Sequence, residues 1–346
     1  MSRLLRFAAS GAGAGALALF ALAGCTRNQD AGRMSTFERG FNVTAYRPEA
    51  FAEPQAGAAL ERLRATGTDH AAIVTQWYMD GPRESSLAPD PAKTPSDRSL
   101  LAVMGRAREA GMAVMLKPHV DLRDGSFRGE IRPRDRAAWF AAYEAMIAHH
   151  ADLARRGGAE TLVVGVELTS MARDERAFRR VIAAARRRFP GRLTFAANWH
   201  DGARRVGFWD ALDAIGIDAY MPLTSRPRPT VATLEAAWRR RYLTPIRALA
   251  RRHGKPVLFT ELGYQSRAEA ARSPHSAGGA VDQEAQARAY EAAFRVWSRE
   301  PGFAGIYWWD WPADGDPATT GADAFTPAGK LAEAVVRRHH AALGAR

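Results

Sequence analysis

The chain has 346 residues, 47% of them hydrophobic, a length that suits one large α/β barrel or two ordinary domains. It contains a single cysteine, so it cannot form an internal disulfide and must fold on its apolar core. The formal net charge is +12, but nearly all of the basic residues are arginines in Ala-rich segments of helical period. Such charges are typical of solvated helix faces, so the composition does not indicate nucleic acid as a partner.

The N-terminus has the features of a bacterial export signal. A short basic region is followed by an apolar segment that is too short and too glycine-rich for a comfortable membrane-spanning helix. The segment ends in Leu-Ala-Gly-Cys at 22–25, which resembles the lipobox of bacterial lipoproteins. This resemblance implies removal of residues 1–24, a lipid anchor on Cys25, and a tether over 25–38. Thr26, in place of an Asp, favours the outer membrane, so we expect attachment in the cell envelope at its periplasmic face or at the cell surface.

A regular alternation of strands and helices begins at Phe41. Short apolar runs rich in Val, Ile and aromatic residues predict eight strands, over 41–46, 70–78, 112–120, 160–168, 192–198, 214–220, 255–264 and 303–311. Segments of helical period predict helices near 55–66, 97–110, 135–156, 174–188, 204–212, 231–253, 283–299 and 327–343.

Eight strands that alternate with helices are typical of a closed (β/α)₈ barrel, the TIM barrel of the α/β class. An open doubly wound sheet is the alternative, but the first strand is not followed by a glycine-rich phosphate turn. Several connections that follow strands are long and polar, whereas those that precede strands are short. In a barrel the long ones share the C-terminal face, so we expect one monomeric domain over 39–346 with its site there.

Two glutamates stand at the ends of strands that would otherwise be apolar. Glu167 ends the fourth strand and Glu261 the seventh, so in a barrel their side chains face each other across the mouth. Two facing carboxyl groups suit glycoside cleavage, in which one protonates the leaving oxygen and the other meets the charge that develops on the sugar. The alternative is that each glutamate forms a structural ion pair with a nearby Arg or Lys.

The chain resembles glycoside hydrolase family 113, a branch of the retaining clan A barrels that includes endo-β-1,4-mannanases. The resemblance extends from about Phe41 to Trp311 and is carried by "MLKPHVD", "VGVEL", "AIGIDAYMPL", "GKPVLFTELGY" and "GIYWWDW". It implies that Glu167 is the acid/base and Glu261 the nucleophile, and that Tyr220 hydrogen-bonds the nucleophile. It also implies a tryptophan at the floor of the subsite where cleavage occurs, which is Trp308 or Trp309.

One position departs from the pattern of the clan. Many clan A enzymes have Asn immediately before the acid/base residue, where it contacts the sugar 2-OH, and here that position is Val166. We expect Asn198 or Lys117 to supply the contact. Lys117 and His119 lie two residues apart and should point the same way, toward sugar hydroxyls or, for Lys117, toward a core carboxylate. Asn198 is alternatively a loop-capping group.

Trp77 completes the predicted sugar contacts, as a stacking surface or alternatively as part of the core. The resulting hypothesis is an exported retaining hydrolase of a β-linked, mannan-like poly- or oligosaccharide that needs no metal or cofactor. Motifs of zinc proteases, redox proteins and serine hydrolases are absent from the sequence. The alternative is a non-catalytic carbohydrate-binding lipoprotein on the same barrel, because a fold does not by itself decide function.

Overall fold

The eight strands predicted from the sequence are all present and close into a parallel barrel in chain order, which confirms the (β/α)₈ fold. The structure is a computed structural model that describes residues 37–199, 201–315 and 321–345. The strands are β1 Glu38–Thr44, β2 His70–Met79, β3 Ala113–Leu122, β4 Thr161–Val166, β5 Arg192–Asn198, β6 Ala214–Asp218, β7 Val257–Leu262 and β8 Phe303–Pro312.

Helices cover the outside of the barrel. They are α1 Pro54–Arg64, α2 Asp97–Glu109, α3 Arg136–Gly157, α4 Glu175–Arg188, α5 Gly202–Arg205, α6 Val231–Ala237, α7 Thr244–His253, α8 Gln283–Trp297 and α9 Leu331–Gly344. A π-helical segment, Trp238–Leu243, joins α6 to α7. Five of the helices begin after a side chain that accepts a hydrogen bond from the backbone N–H three residues on, which is the usual way to satisfy a helix start. These caps are Ser96, Asp135, Asp174, Thr230 and Asp282.

The helix predicted over 204–212 is wrong. The chain forms only one turn at α5 and a separate 3-10 turn at Trp209–Ala211. Gly207 lies between the two turns, and glycine in a helix interior costs about 1 kcal/mol relative to alanine. Trp209 is fully buried and donates from its indole N–H to the carbonyl of Ala203, which holds the chain in this tighter path.

The apolar core has an inner and an outer layer. The outer layer lies between strands and helices, and the inner layer fills the barrel with side chains that alternate with the outward-facing ones. Tyr307 occupies the lower part of the barrel, where a Cβ added at Gly40 would lie 2.6 Å from Cγ of its ring. Gly40 therefore leaves the room that this large ring requires.

The first strand starts earlier than the sequence predicted. Glu38, assigned to the tether, is 3% exposed and belongs to β1. Its carboxylate accepts hydrogen bonds of 2.7 Å from Arg192 and from the hydroxyl of Tyr307. The buried negative charge is therefore paired with Arg192. Within the described part of the chain, no helix combines the length and the apolar character needed to cross a bilayer.

Candidate active site

The C-terminal ends of the strands open into a pocket of about 600 Å³. The side chains that line this pocket come both from strand ends and from the long connections. They are Tyr46, His119, Asp121, Phe127, Arg128, Glu167, Asn198, Trp199, Tyr220, Glu261, His275, Trp309 and Phe325. The pocket contains both glutamates that the sequence singled out.

Glu167 follows β4 directly and leaves the strand conformation. Its φ of 53° is in the left-handed region, which a non-glycine residue adopts at a cost on the order of 1–3 kcal/mol. Its backbone N–H still bonds the carbonyl of Ala196 on β5 at 2.8 Å, so the bend is held by the neighbouring strand. The bend directs the carboxyl group into the pocket.

The surroundings of Glu167 favour a carboxyl group that keeps its proton near neutral pH. Burial raises its pKa to about 7, and the negative charge of Glu261 acts in the same direction. Two contacts oppose this shift: Arg128 lies 3.8 Å from Oε2, and the side-chain amide of Asn198 donates to Oε1 at 2.9 Å. A carboxyl group with this pKa can give and take a proton at physiological pH.

Glu261 has a different environment, although it lies in the same pocket. Lys117 Nζ donates to its Oε1 at 2.5 Å, and the hydroxyl of Tyr220 donates to its Oε2 at 2.8 Å. The Nε2 atom of His119 lies 3.7 Å from Oε1. Each oxygen of this carboxyl group is therefore fixed by a donor, which gives the group a defined orientation.

Lys117 lies below the pocket rather than in it. Its side chain is fully buried and also donates to the carbonyl of Thr260 at 3.1 Å and to Asp218 at 3.4 Å. The prediction that Lys117 binds sugar hydroxyls or supplies the 2-OH contact is therefore wrong, and the alternative of a charge that neutralises a core carboxylate is the observed one. Burial, followed by the charge of Glu261, raises the pKa of Asp218 well above its usual range.

His119 is held as a neutral ring at the wall of the pocket. Burial, with the nearby charges of Arg128 and Lys117, holds its pKa well below the usual range. Arg128 donates to Nδ1 at 2.9 Å, so the proton of the neutral ring is on Nε2. Nε2 is buried and has no hydrogen-bond partner among the described residues.

The tryptophans separate into pocket and core residues. Trp309 lines the pocket, and its ring is nearly parallel to that of His119 at a centroid distance of 6.0 Å. Trp308 is fully buried and stacks on Tyr290 of α8 at 3.9 Å. Adjacent strand residues point to opposite faces, so only one of the two can reach the pocket, and a sugar-binding role for Trp308 is wrong.

Trp77 also points away from the pocket. It packs against His149 and His150 of α3, at ring-centroid distances of 5.9 and 5.8 Å. The prediction that it stacks on a sugar ring is therefore wrong, and its alternative placement in the packing between β2 and α3 is the observed one. Cys25, the predicted lipidation site, lies outside the described residues.

Sequence reasoning missed several pocket residues, because they come from loops rather than strand ends. Phe127 and Arg128 lie in the connection after β3, and His275 in the connection after β7. The sequence marked both connections as long and polar but carried no periodicity that selects single residues within them. Among the residues that the structure describes, no group of His, Cys, Asp or Glu side chains is arranged to hold a metal ion.

The chain is similar to proteins of one known enzyme family. Residues 40–330 match the model of Glycoside Hydrolase Family 113. The GH113 β-mannanase AaManA from Alicyclobacillus acidocaldarius, solved in complex with ManMIm, is 32% identical over 89% of this chain and 98% of its own, with a TM-score of 0.81. A GH113 β-1,4-mannanase solved as a complex is 26% identical over 88% of this chain and 99% of its own, with a TM-score of 0.80.

More distant structures share the fold alone. A β-glucuronidase from Ruminococcus gnavus is 14% identical over 88% of this chain and 50% of its own, with a TM-score of 0.57. None of the curated proteins used for comparison is similar to the chain.

Proposed function

The chain belongs to glycoside hydrolase family 113 and is a glycoside hydrolase, and from this premise we propose that it cleaves a β-linked, mannan-like glycan with retention, using Glu261 as nucleophile and Glu167 as acid/base. The observation that carries the proposal is the contrast between the two carboxyl groups in one pocket. Burial raises the pKa of Glu167 to about 7, whereas Glu261 is held by Lys117 and Tyr220. Opposed environments of this kind separate the acid from the nucleophile.

In the first step, an oxygen of Glu261 forms a bond to the anomeric carbon while the bond from that carbon to the leaving oxygen breaks. Glu167 gives its proton to the leaving oxygen. In the second step, Glu167 takes a proton from water, the water oxygen bonds to the anomeric carbon, and Glu261 leaves as a carboxylate. Each step inverts the anomeric carbon, so the product retains the configuration of the substrate.

The substrate class is proposed from the relatives and from the shape of the pocket. Two of the similar structures are described as β-mannanases, and the pocket combines an aromatic face at Trp309 with polar groups at His119 and Asn198. Apolar surface with a few directed polar groups suits the faces and hydroxyls of a sugar ring. Val166 is buried beside the inner layer, so Asn198 is the pocket amide that is placed to approach the 2-OH.

Attachment to the cell envelope is part of the same proposal. It is supported by the lipobox-like segment that ends at Cys25 and by the basic and apolar residues before it. A lipid anchor would hold the enzyme near polysaccharides at the cell surface. A single acyl chain binds membranes only weakly, so stable anchoring needs more than one chain or a second signal.

The test is turnover on a panel of β-1,4-linked mannan, glucan and mixed oligosaccharides, with the anomeric form of the first product followed by NMR. We expect hydrolysis of a manno-configured substrate with a β product at early times. An α product would contradict the retaining mechanism. Binding without turnover would instead support the non-catalytic alternative that the sequence left open.

A further inference from the structure

Two exposed aromatic side chains stand at the rim of the active-site pocket. Large apolar side chains with high exposure are few among the described residues: Tyr46, Phe127, Val281 and Leu331. Tyr46 and Phe127 line the pocket, and the other two do not. Phe127 is 44% exposed. An aromatic face kept in water at the rim of a binding pocket is suited to be covered by the ligand.

The glycine two residues after Phe127 leaves room for its ring. Gly129 is buried, and a Cβ added there would lie 3.0 Å from Cδ1 of Phe127 and closer still to Cε1. The ring therefore packs on the bare backbone at Gly129. A methyl group at that position would push the ring out of its position, because the ring is the more movable partner.

The loop that carries Phe127 is anchored on both sides. Arg128 donates to Asp121 at 2.5 Å, and the carbonyl of Gly129 accepts from the backbone N–H of Ser170 at 3.1 Å. The hydroxyl of Ser170 donates to the carbonyl of Ile131 at 2.5 Å. The backbone of the loop that carries Phe127 is thus held in place before a ligand arrives, which lowers the entropy cost of binding.

These anchors join the loop of Phe127 to the segment that follows Glu167. Ser170 is three residues beyond Glu167, and Arg128 is 3.8 Å from the Glu167 carboxyl group. In the proposed mechanism the acid lies beside the leaving oxygen, whereas the nucleophile approaches the anomeric carbon from the other face. The neighbourhood of Glu167 is therefore where the leaving part of the glycan passes.

We propose that Phe127 is the stacking platform for the first sugar unit on the leaving-group side of the bond that is cleaved. The ligand is a neutral pyranose, whose apolar C–H face covers the ring. The inference rests on the proposed function, because it uses Glu167 as the acid. It adds a leaving-group subsite and a residue that controls how strongly a sugar is held there.

The same subsite receives an acceptor sugar once the glycosyl–enzyme ester has formed. A hydroxyl oxygen of the acceptor then bonds to the anomeric carbon, the bond from that carbon to Glu261 breaks, and the hydroxyl proton passes to Glu167. Water competes by the same route and needs no platform. The ratio of transfer product to hydrolysis product therefore reports binding at Phe127, independently of the stability of the protein.

The experiment compares Phe127→Ala, Phe127→Tyr, Gly129→Ala and the Phe127→Ala/Gly129→Ala double variant, with Leu331→Ala as the control for an exposed apolar residue away from the pocket. Two substrates are used: the oligosaccharide that the wild type cleaves, and the glycosyl fluoride of its glycone, whose small leaving group cannot cover the platform. kcat/KM is measured on both, and the transfer ratio is measured at a fixed acceptor concentration.

We expect Phe127→Ala to lower kcat/KM on the oligosaccharide and the transfer ratio about tenfold, with the fluoride unaffected. Gly129→Ala should reproduce this loss, the double variant should add nothing to it, and Phe127→Tyr and Leu331→Ala should behave like wild type. Equal losses on both substrates, or no loss on either, would overturn the inference while the wild type remains an active hydrolase. A wild type that is inactive on every substrate would overturn the proposed function, and this inference with it.

Discussion

Lys117 places its ammonium group 2.5 Å from Oε1 of Glu261, inside the barrel and out of reach of solvent. A buried carboxylate needs such a partner, because removal of one member of a buried ion pair leaves the other charge uncompensated. The pair also fixes the orientation of the Glu261 carboxylate, since Tyr220 holds its second oxygen. Lys117 is thus a positioning residue, which acts on the sugar only through Glu261.

We expect Lys117→Met to lower kcat at least about 100-fold and to destabilise the fold by about 3–5 kcal/mol. The matched control is Asp218→Asn. Burial raises the pKa of Asp218 well above its usual range, and an amide of the same shape keeps an oxygen that can accept from Lys117 and Thr260, so this variant should leave kcat and its pH profile unchanged. Thermal melting and kcat measured on the same preparations check both variants. A Met variant with normal kcat would refute the positioning role.

The pH dependence of kcat/KM should report the protonation of Glu167. Glu167 must carry its proton to protonate the leaving oxygen, and its pKa is raised to about 7. kcat/KM should therefore have its full value below pH 7 and fall as the pH rises through that value. Asn198→Ala removes a hydrogen bond that lowers this pKa, so the fall should move to higher pH. Rate profiles from pH 4 to pH 9 measure both. If the fall in kcat/KM of the variant stays at the same pH or moves to lower pH, the result would count against Glu167 as the titrating group.

Azide should distinguish the two glutamates. Glu261→Ala should stop turnover on all substrates, and azide in the vacated space should give the inverted glycosyl azide. Glu167→Ala should lose about 10²–10⁴-fold on oligosaccharides, yet spare substrates with good leaving groups, and azide should give the retained product. The configuration of each azide product is read by NMR. Identical behaviour of the two variants would mean that the roles are not divided as proposed.

Replacement of Trp308 by alanine should mainly lower stability, whereas replacement of Trp309 should mainly weaken substrate binding. Trp308 is fully buried against Tyr290, so its loss should cost about 3–5 kcal/mol of folding free energy. Trp309 lines the pocket, so its loss should raise KM about tenfold, equivalent to about 1.4 kcal/mol, with a smaller effect on stability. Denaturant titration and steady-state kinetics on both variants give the comparison. A Trp308 variant that is stable but fails to bind substrate would reverse the assignment.

Cys25 should carry the lipid. Cys25→Ser removes the only thiol that an acyl group could occupy, so the protein should leave the membrane fraction. Fractionation and mass spectrometry of the mature N-terminus measure the result, with Thr26→Ser as the matched control. Continued membrane attachment of the Cys25 variant, together with an unprocessed Met1 in the wild type, would refute the lipoprotein proposal.

Local residue patterns alone predict the barrel and the positions of most of its strands. Each strand is a short apolar run between helical segments, and this local pattern survives in the fold, from β2 to β8, to within a few residues. It also selected Glu167 and Glu261, because a charge at the end of an apolar run is visible without any tertiary contact. The helix predicted over 204–212 failed because the burial of Trp209, a tertiary effect, outweighs a helical pattern that Gly207 already weakens.

Which polar side chains meet depends on the tertiary fold. Lys117 and His119 share one face of β3, but depth within the barrel puts the first below the pocket and the second at its wall. Arg128 and Phe127 reach the site from a loop, whose path depends on contacts with Ser170, about 40 residues later in the chain. Periodicity assigns a residue to a face, whereas depth and loop path depend on long-range packing, which no local pattern encodes.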